Sequence, residues 1–190
     1  EPNSPRETMD DPHKRMVWID LEMTGLDLER ESIIEIATII TDSQLNIIAE
    51  GPNLAISVSE ELIAGMDEWN TRHHFGSGLV DRVRNDSVSL EEAERLTLDF
   101  IKQHVPKKTA PLCGNSVWND RQFLVKEMPS VTDYLHYRMV DVSTIKELAR
   151  RWYPGLPKFE KKGAHLALDD IRESVYELVH FRKLIFTDRP

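Results

Sequence analysis

Residues 15–26 (RMVWIDLEMTGL) carry two acids, Asp20 and Glu22, within an apolar run. Polar sequence precedes this run and Thr-Gly follows it, which is typical of a buried β-strand. Side chains alternate between the two faces of a strand, so both carboxylates lie on one face, about 7 Å apart. Buried carboxylates need a positive partner, and Mg²⁺ prefers oxygen ligands. The segment therefore predicts a strand that presents a divalent-cation site, with an exposed edge strand as the alternative interpretation.

The chain length of 190 residues suits one domain with a sizeable core, and its content of 40% hydrophobic and 30% charged residues is ordinary. The one cysteine, Cys113, excludes an internal disulfide. No stretch approaches the length of a membrane span or resembles a signal peptide. We expect a flexible N-terminal tail over residues 1–13, a single domain over residues 14–190 and a cytoplasmic location without membrane contact.

Charge is distributed unevenly along the chain. The net charge is −9, which argues against a broad basic surface for long nucleic acid. Residues 138–162, however, hold seven Lys or Arg and three Asp or Glu. A local basic patch on an acidic protein favours a short anionic ligand over a long duplex.

The order of predicted elements indicates an α/β fold with a mixed sheet. Three strands with short connections come first, which predicts an antiparallel meander with residues 15–26 at the centre of the sheet. Helices and short strands alternate after it, which predicts helices flanking the sheet. The predicted strands cover residues 15–26, 33–40, 45–56, 111–115 and 136–140. Three predicted helices begin after the N-caps Ser59, Ser89 and Ser116, and two more cover 144–153 and 167–186. Residues 66–76 are predicted to be irregular or helical.

Three further acids and one histidine are candidate site residues. Asp120 lies in the first turns of a predicted helix, where an acid more often interacts with the helix dipole than with a metal. His165 precedes Asp169 and Asp170 at the start of the last helix, and helical periodicity does not choose between these two acids. Taken singly, these residues do not indicate a site.

Their combination resembles the DEDDh family of 3′-to-5′ exonucleases, which joins a strand Asp-x-Glu to a later Asp and a C-terminal His-x-x-x-x-Asp. The matching residues are Asp20, Glu22, Asp120, His165 and Asp170. Only the family pattern selects Asp170 over Asp169. The resemblance implies a ribonuclease-H-like fold, in agreement with the predicted strand order, and a single exonuclease domain.

Within that family the chain is most similar to the oligoribonucleases, from about residue 16 to residue 186. The stretches that carry this resemblance are WIDLEMTGL at 18–26, AEGPN at 49–53, GNS at 114–116, HYR at 136–138, DVST at 141–144, KELARRW at 146–152 and LDDIRES at 168–174. The resemblance implies a homodimer that degrades very short RNA, chiefly dinucleotides, to nucleoside 5′-monophosphates as the final step of RNA turnover.

The resemblance also implies the roles of the catalytic residues. Two divalent cations, Mg²⁺ or Mn²⁺, would flank the scissile phosphate about 3.5–4 Å apart. Asp20 would bridge them, Glu22 and Asp170 would complete one site, and Asp120 would hold the second ion. His165 would be the general base, which its near-neutral reference pKa permits.

The remaining implied residues would bind the dinucleotide. Leu26 would separate the two bases, and Trp69 and His74 would contact base, ribose or phosphate. Tyr137 would reach the site of the partner subunit as a further catalytic residue, with Arg138 as a second candidate for this reach. A cap on the 5′ phosphate would comprise Ser116, Arg138, Ser143 and Lys146. Without the family pattern, a core tryptophan at 69 or a solvated helix face at 146 is the simpler interpretation.

Two other functions remain open at this point. Another DEDDh enzyme, such as a polymerase proofreading domain or a transfer-RNA-trimming exonuclease, shares the five catalytic positions, whereas the phosphate cap is specific to very short substrates. A non-catalytic nucleotide-binding module on the same fold is expected to lack one of the acids or the histidine. This chain has all five.

Overall fold

A five-stranded mixed sheet with β1 at its centre organises the molecule. The computed structural model describes residues 9–163 and 166–188. The strand order is β3-β2-β1-β4-β5. The strands are β1 (Met16–Met23), β2 (Ile33–Thr41), β3 (Ile47–Ala55), β4 (Leu112–Gly114) and β5 (Met139–Asp141). The pairs β1–β2 and β2–β3 are antiparallel, and β1–β4 and β4–β5 are parallel, which confirms the predicted fold class.

Eight helices surround the sheet among the described residues. They are α1 (Glu60–Ala64), α2 (Glu68–Gly76), α3 (Leu79–Asn85), α4 (Leu90–His104), α5 (Val117–Glu127), α6 (Pro129–Tyr134), α7 (Val142–Trp152) and α8 (Ala167–Ile185). None of these helices combines the length and the apolar character that crossing a membrane requires.

Alternation along β1 divides the core between the two faces of the sheet. Val17, Ile19 and Leu21 pack with residues of α4, α5 and α6 in one cluster. Trp18 lies on the other face and packs with residues of α7 and α8. Side chains two positions apart share a face, so Asp20 and Glu22 point to the α8 side of the sheet. The sheet therefore presents the acids of β1 to the last helix.

The parallel pair β1–β4 is short and ends before the acids of β1. Only Val17 and Trp18 of β1 have partners in β4. At Gly114 the chain turns away toward α5, and a side chain there would lie 3.3 Å from the carbonyl oxygen of Ile19. Residues after Ile19 therefore border an opening at the carboxyl end of β4, which is where ligands bind in open α/β sheets.

The predicted helix caps differ in outcome. Ser59 accepts a hydrogen bond from the N–H of Leu62 at 3.3 Å, and Ser89 accepts one from Glu92 at 3.1 Å, so both caps are confirmed. The predicted cap by Ser116 is wrong. This residue has a φ of 48° and makes no side-chain cap, because its hydroxyl lies 3.2 Å from the hydroxyl of Ser143.

Two short helices were not predicted, α3 and α6. Gly78, with a φ of 81°, separates α2 from α3, and Pro129 begins α6. Helices of six or seven residues span less than two turns, so they leave little periodic pattern in a sequence. The last predicted strand, 136–140, is shifted to Met139–Asp141.

The flexible tail predicted over residues 1–13 lies mostly outside the described residues. Of its described part, Pro12 and His13 belong to a short 3₁₀ turn, Pro12–Lys14, which Asp11 caps.

Candidate active site

Three carboxylates from two distant elements converge at the α8 side of the sheet. Asp20 and Glu22 come from β1, and Asp170 comes from the first turn of α8. Each offers one oxygen, and these oxygens lie within 4.8 Å of one another. Carboxylate oxygens at such separations are suited to a hard divalent cation.

The electrostatics of these acids also fit a cation. Burial raises the pKa of Asp20 well above its ordinary value, and the charges of Asp120, Glu22 and Asp170 raise it further. Burial, followed by the charge of Asp170, raises the pKa of Glu22 to about 8. Both shifts express the cost of burying like charges together, and a bound divalent cation would remove that cost.

Asp120 borders the cluster on the side of α5. It is buried, and its Oδ1 accepts a hydrogen bond from the backbone N–H of Leu21 at 3.1 Å. This N–H belongs to β1 beyond its pairing with β4, so Asp120 takes the place of a strand partner there. Burial raises the pKa of Asp120 to about 7, against the effect of the Leu21 hydrogen bond. Asp120 lies outside the group of three within 4.8 Å, although its charge affects Asp20.

The structure distinguishes Asp169 from Asp170, which periodicity did not. Asp170 joins the cluster, whereas Asp169 forms an ion pair with Arg172 at 3.3 Å. The family pattern and the geometry therefore select the same acid. The predicted general base, His165, lies outside the described residues.

Glu35 is a buried acid near the cluster that the sequence analysis did not identify. It is fully buried on β2, opposite Glu22 in the antiparallel register. One oxygen pairs with Arg82 of α3, and the other accepts the backbone N–H of Ala167 at 2.9 Å. A lone acid inside the apolar run IIEIATII was the signal that could have revealed it.

A cleft of about 400 Å³ extends from the cluster toward α2. Glu22 lines it together with two predicted base-binding residues, Leu26 and Trp69. Both are largely exposed for apolar residues, Leu26 to 68% and Trp69 to 64%. The indole of Trp69 stacks on the ring of His73, with 4.4 Å between centroids. The cleft therefore joins Glu22 to apolar surfaces suited to nucleobases.

His74, another predicted substrate-binding residue, lies beside this cleft and not among the residues that line it. It is fully buried, and its Nε2 lies 2.8 Å from the carbonyl oxygen of Met23 at the end of β1. Burial lowers the pKa of His74, so the neutral ring donates its Nε2–H to that carbonyl. His74 thus attaches α2 to β1.

The predicted phosphate-cap serines lie together at the beginnings of α5 and α7. The Ser116 and Ser143 hydroxyl oxygens are 3.2 Å apart, and the backbone N–H groups of both residues donate to Oδ1 of Asp141. Ser143 Oγ donates to Asn115 Oδ1 at 3.1 Å, and the Asn115 amide donates to Ser174 of α8 at 2.8 Å. Asn115 therefore links this serine pair to the helix that carries the third acid.

The other predicted cap and partner residues are on the surface. Tyr137 is 70% exposed, stacks on His136, and has the guanidinium of Arg138 5.4 Å from its ring centroid. Lys146 lines a separate cavity of about 240 Å³ with Arg150 and Lys158. The serine pair thus belongs to a hydrogen-bond network between helices, whereas Tyr137 and Arg138 project from an exposed loop.

Solved structures with the same fold are exonucleases. Escherichia coli exonuclease I in complex with a 5cy-dT13 oligonucleotide superposes with a TM-score of 0.69 at 14% identity, over 90% of this chain. Exonuclease I from Methylocaldum szegediense gives a TM-score of 0.62 at 18% identity. The chain spans about two fifths of these larger chains, 41% in both cases, so the likeness establishes the fold.

Sequence comparison is more specific. The family model described as RNase_T, Exonuclease, matches residues 17–178. The oligoribonuclease of Pseudomonas aeruginosa is 59% identical over 170 residues, which cover 89% of this chain and 94% of that protein. The oligoribonuclease of Klebsiella pneumoniae is 59% identical over 169 residues, which cover 88% and 93%. The chain belongs to the oligoribonuclease family of 3′-to-5′ exoribonucleases.

Proposed function

We propose that the chain degrades very short RNA, chiefly dinucleotides, from the 3′ end to nucleoside 5′-monophosphates. The observation that carries this proposal is the cleft that joins Glu22 to Leu26 and Trp69. Its volume of about 400 Å³ is toward the small end of ligand sites, which commonly enclose about 300–1,000 Å³. A small site bounded by two exposed apolar side chains suits two bases better than a long strand.

The proposed reaction uses two divalent cations, Mg²⁺ or Mn²⁺. Asp20, Glu22, Asp170 and Asp120 would hold them, as the convergence of the first three and the burial of the fourth support. When bound, such ions lower the pKa of a coordinated water and neutralise charge on the phosphate. Asp120 and Glu22 would be ionised when they hold cations, because a bound cation favours the carboxylate and opposes the effect of burial, which raises the pKa of each acid.

His165 is proposed as the general base. It stands two residues before α8 in the sequence, and Asp170 follows in the first turn of that helix. A neutral imidazole there would accept the proton of the attacking water as the new P–O bond forms. The leaving 3′-oxygen would depart on the opposite side of the phosphorus.

Leu26 and Trp69 are proposed to hold the two bases. Exposed apolar groups at the rim of a cleft are typical of binding surfaces, and stacking on an aromatic ring contributes about 1–3 kcal/mol per base. The stack of Trp69 on His73 fixes the indole plane before substrate arrives. His74 would contribute indirectly, by holding α2 against Met23.

A cap on the 5′ phosphate is proposed around the serine pair. The first turns of α5 and α7 meet where Ser116 and Ser143 are in contact, and the exposed Ser116 hydroxyl can donate a hydrogen bond to a phosphate oxygen. Arg138 and Lys146 would add positive charge at this end of the substrate. Such a cap would leave no path for a third nucleotide.

The proposal includes a homodimer in which Tyr137, with Arg138 as a second candidate, reaches the site of the partner subunit. The 70% exposure of Tyr137 supports this role, since a large aromatic side chain on a surface loop is available for a contact outside its own chain.

Hydrolysis rates on RNA of two and seven nucleotides test the proposal. With Mg²⁺, kcat/KM for the dinucleotide is expected to exceed that for the heptanucleotide at least about tenfold, equal to ~1.4 kcal/mol. EDTA should abolish both reactions. Equal rates, or faster cleavage of the heptanucleotide, would contradict the closed cap and favour an exonuclease of longer strands.

A further inference from the structure

We infer that Glu35 is a positioning residue for the candidate metal centre. It does not belong to the group of three acids within 4.8 Å, but it caps the helix that carries one of them. Through this contact it would fix Asp170 relative to β1. The inference rests on the proposed metal site and adds a residue that acts on it from β2.

The N-cap residue of α8 does not cap this helix with its side chain. Leu166 occupies the N-cap position and makes no side-chain hydrogen bond to the helix. The first N–H groups of any helix have no partner within the helix, and short polar side chains usually supply one. Here Glu35 supplies it, since Oε1 accepts the Ala167 N–H at 2.9 Å across 132 positions of sequence.

This contact lies one turn from the metal-centre acid. Ala167 is the first residue of α8, and the N–H of Asp170 donates to the carbonyl of Leu166 at 2.9 Å to close the first turn. A turn anchored at Ala167 keeps the Asp170 side chain on the sheet side of the helix. Without the anchor, the unpaired buried N–H would favour fraying of this turn.

Arg82 makes the burial of Glu35 possible. An isolated buried carboxylate is costly, and a partner with access to water reduces that cost. The side chain of Arg82 is 30% exposed, whereas that of Glu35 is fully buried. The pair thus leaves one oxygen of Glu35 for Arg82 and the other for α8.

A pair of double variants separates the cap from the charge. The first variant, Glu35→Gln with Arg82→Met, is called the Gln/Met protein; it removes both charges and keeps an oxygen acceptor for the Ala167 N–H. The second variant, Glu35→Met with Arg82→Met, is called the Met/Met protein; it removes the same charges and also the acceptor. The two proteins have the same net charge and similar side-chain volume, so they differ in the amide group at position 35, whose oxygen can accept the Ala167 N–H.

Binding of Mn²⁺ alone, measured by electron paramagnetic resonance and calorimetry, is the main readout. Loss of an outer-shell partner typically weakens metal binding about 10–100-fold, so the Met/Met protein should bind Mn²⁺ at least about tenfold more weakly than the Gln/Met protein. Excess Mn²⁺ should restore much of its kcat, which a purely structural defect would not allow. The dinucleotide KM at saturating Mn²⁺ should remain unchanged.

Two further proteins complete the test. Ala167→Pro removes the backbone N–H that donates to Glu35, so it breaks the same hydrogen bond at its donor. The substitution suits the backbone because Leu166 is already extended and proline is tolerated at the first helical position. It should reproduce the loss of affinity even if the Met/Met protein fails to fold. The bidentate Glu60–Arg84 pair between α1 and α3 is the control, and Glu60→Gln should leave Mn²⁺ affinity unchanged.

Equal Mn²⁺ affinity of the Gln/Met and Met/Met proteins, or normal affinity in Ala167→Pro, would overturn the inference. Absence of Mn²⁺ binding by the unmodified chain would instead overturn the proposed metal site, and the positioning role with it.

Discussion

At Asp20 and Glu22, burial and the charges of neighbouring acids both act against the charged form of each carboxylate and raise its pKa. Ion pairing elsewhere in the chain lowers the pKa of acids, as Arg172 does for Glu50. Without a cation the raised pKa values favour the protonated acids, so the charged form of the cluster would depend on a bound cation and not on an ion pair within the fold.

Asp170→Asn is expected to lower kcat at least about a hundredfold, because the cluster loses a charged oxygen that would stabilise the reaction. Its stability in EDTA should be unchanged or higher, since one repelling charge is removed. Asp169→Asn is the matched control. It breaks only a partly exposed ion pair with Arg172, worth at most ~1 kcal/mol, and should retain activity. Steady-state kinetics and thermal unfolding check both; similar activity of the two variants would contradict the assignment.

Stability without metal should fall as pH rises through the neutral range. The pKa of Glu22 is about 8 in the folded protein against 4.5 when exposed, so the folded state binds more protons between these values. The free energy of unfolding then decreases with pH. The lowered pKa of His74 makes the free energy of unfolding increase with pH, but this effect is confined to pH values below the ordinary histidine pKa of 6.5.

Urea unfolding in EDTA at about pH 7 and about pH 8 measures this effect while the opposite contribution of His74 is small. Wild-type stability should be lower at the higher pH, and Glu22→Gln should reduce the dependence. A wild-type protein that gains stability over this interval would refute the expectation.

At the scale of elements, the long helix and the meander were predictable from local pattern. The amphipathic helix α4 begins directly after the predicted N-cap, Ser89. In contrast, β3 crosses α4 at a place that no local pattern indicated. An ideal Cβ built at Gly51 would lie 2.5 Å from the ring of Phe100 on α4, so β3 and α4 pack closely through the absence of a side chain.

Gly51→Ala is expected to lower the free energy of unfolding by about 1–3 kcal/mol, because the added methyl forces the Phe100 ring or β3 to move. Gly155→Ala is the control, since a Cβ at Gly155 meets no atom within 4 Å. Chemical denaturation measures both. Equal stability of the two variants would mean that the Phe100 ring moves at little cost.

At the scale of the whole molecule, several basic side chains of residues 138–162 form ion pairs within the fold. Arg150 and Arg151 pair with Glu147, and Lys161 pairs with buried Glu177. The positive charge available to a substrate is therefore smaller than the composition suggests, and it includes Arg138 beside the exposed ring of Tyr137.

Mixing two inactive variants tests whether Tyr137 serves the partner subunit. Tyr137→Ala and Asp20→Asn are each expected to lose most activity. In a random mixture, half the dimers combine one chain of each kind. In such a dimer the Tyr137→Ala chain has all its acids and receives an intact tyrosine from its partner, so one of the two sites is complete. About a quarter of wild-type activity should return. Sedimentation confirms the dimer, and a mixture that stays inactive would place the action of Tyr137 within its own chain.

The sequence by itself determined the features that neighbouring residues encode. Alternation within residues 16–23 put Asp20 and Glu22 on one face of a buried strand, and apolar spacing and the Ser89 cap defined the long helix α4. Only the tertiary structure decided which distant groups meet them. The Leu21–Asp120 bond joins residues 99 positions apart, and the Ala167–Glu35 bond joins residues 132 apart. Such contacts depend on how strands and helices pack, and no pattern of adjacent residues records that packing.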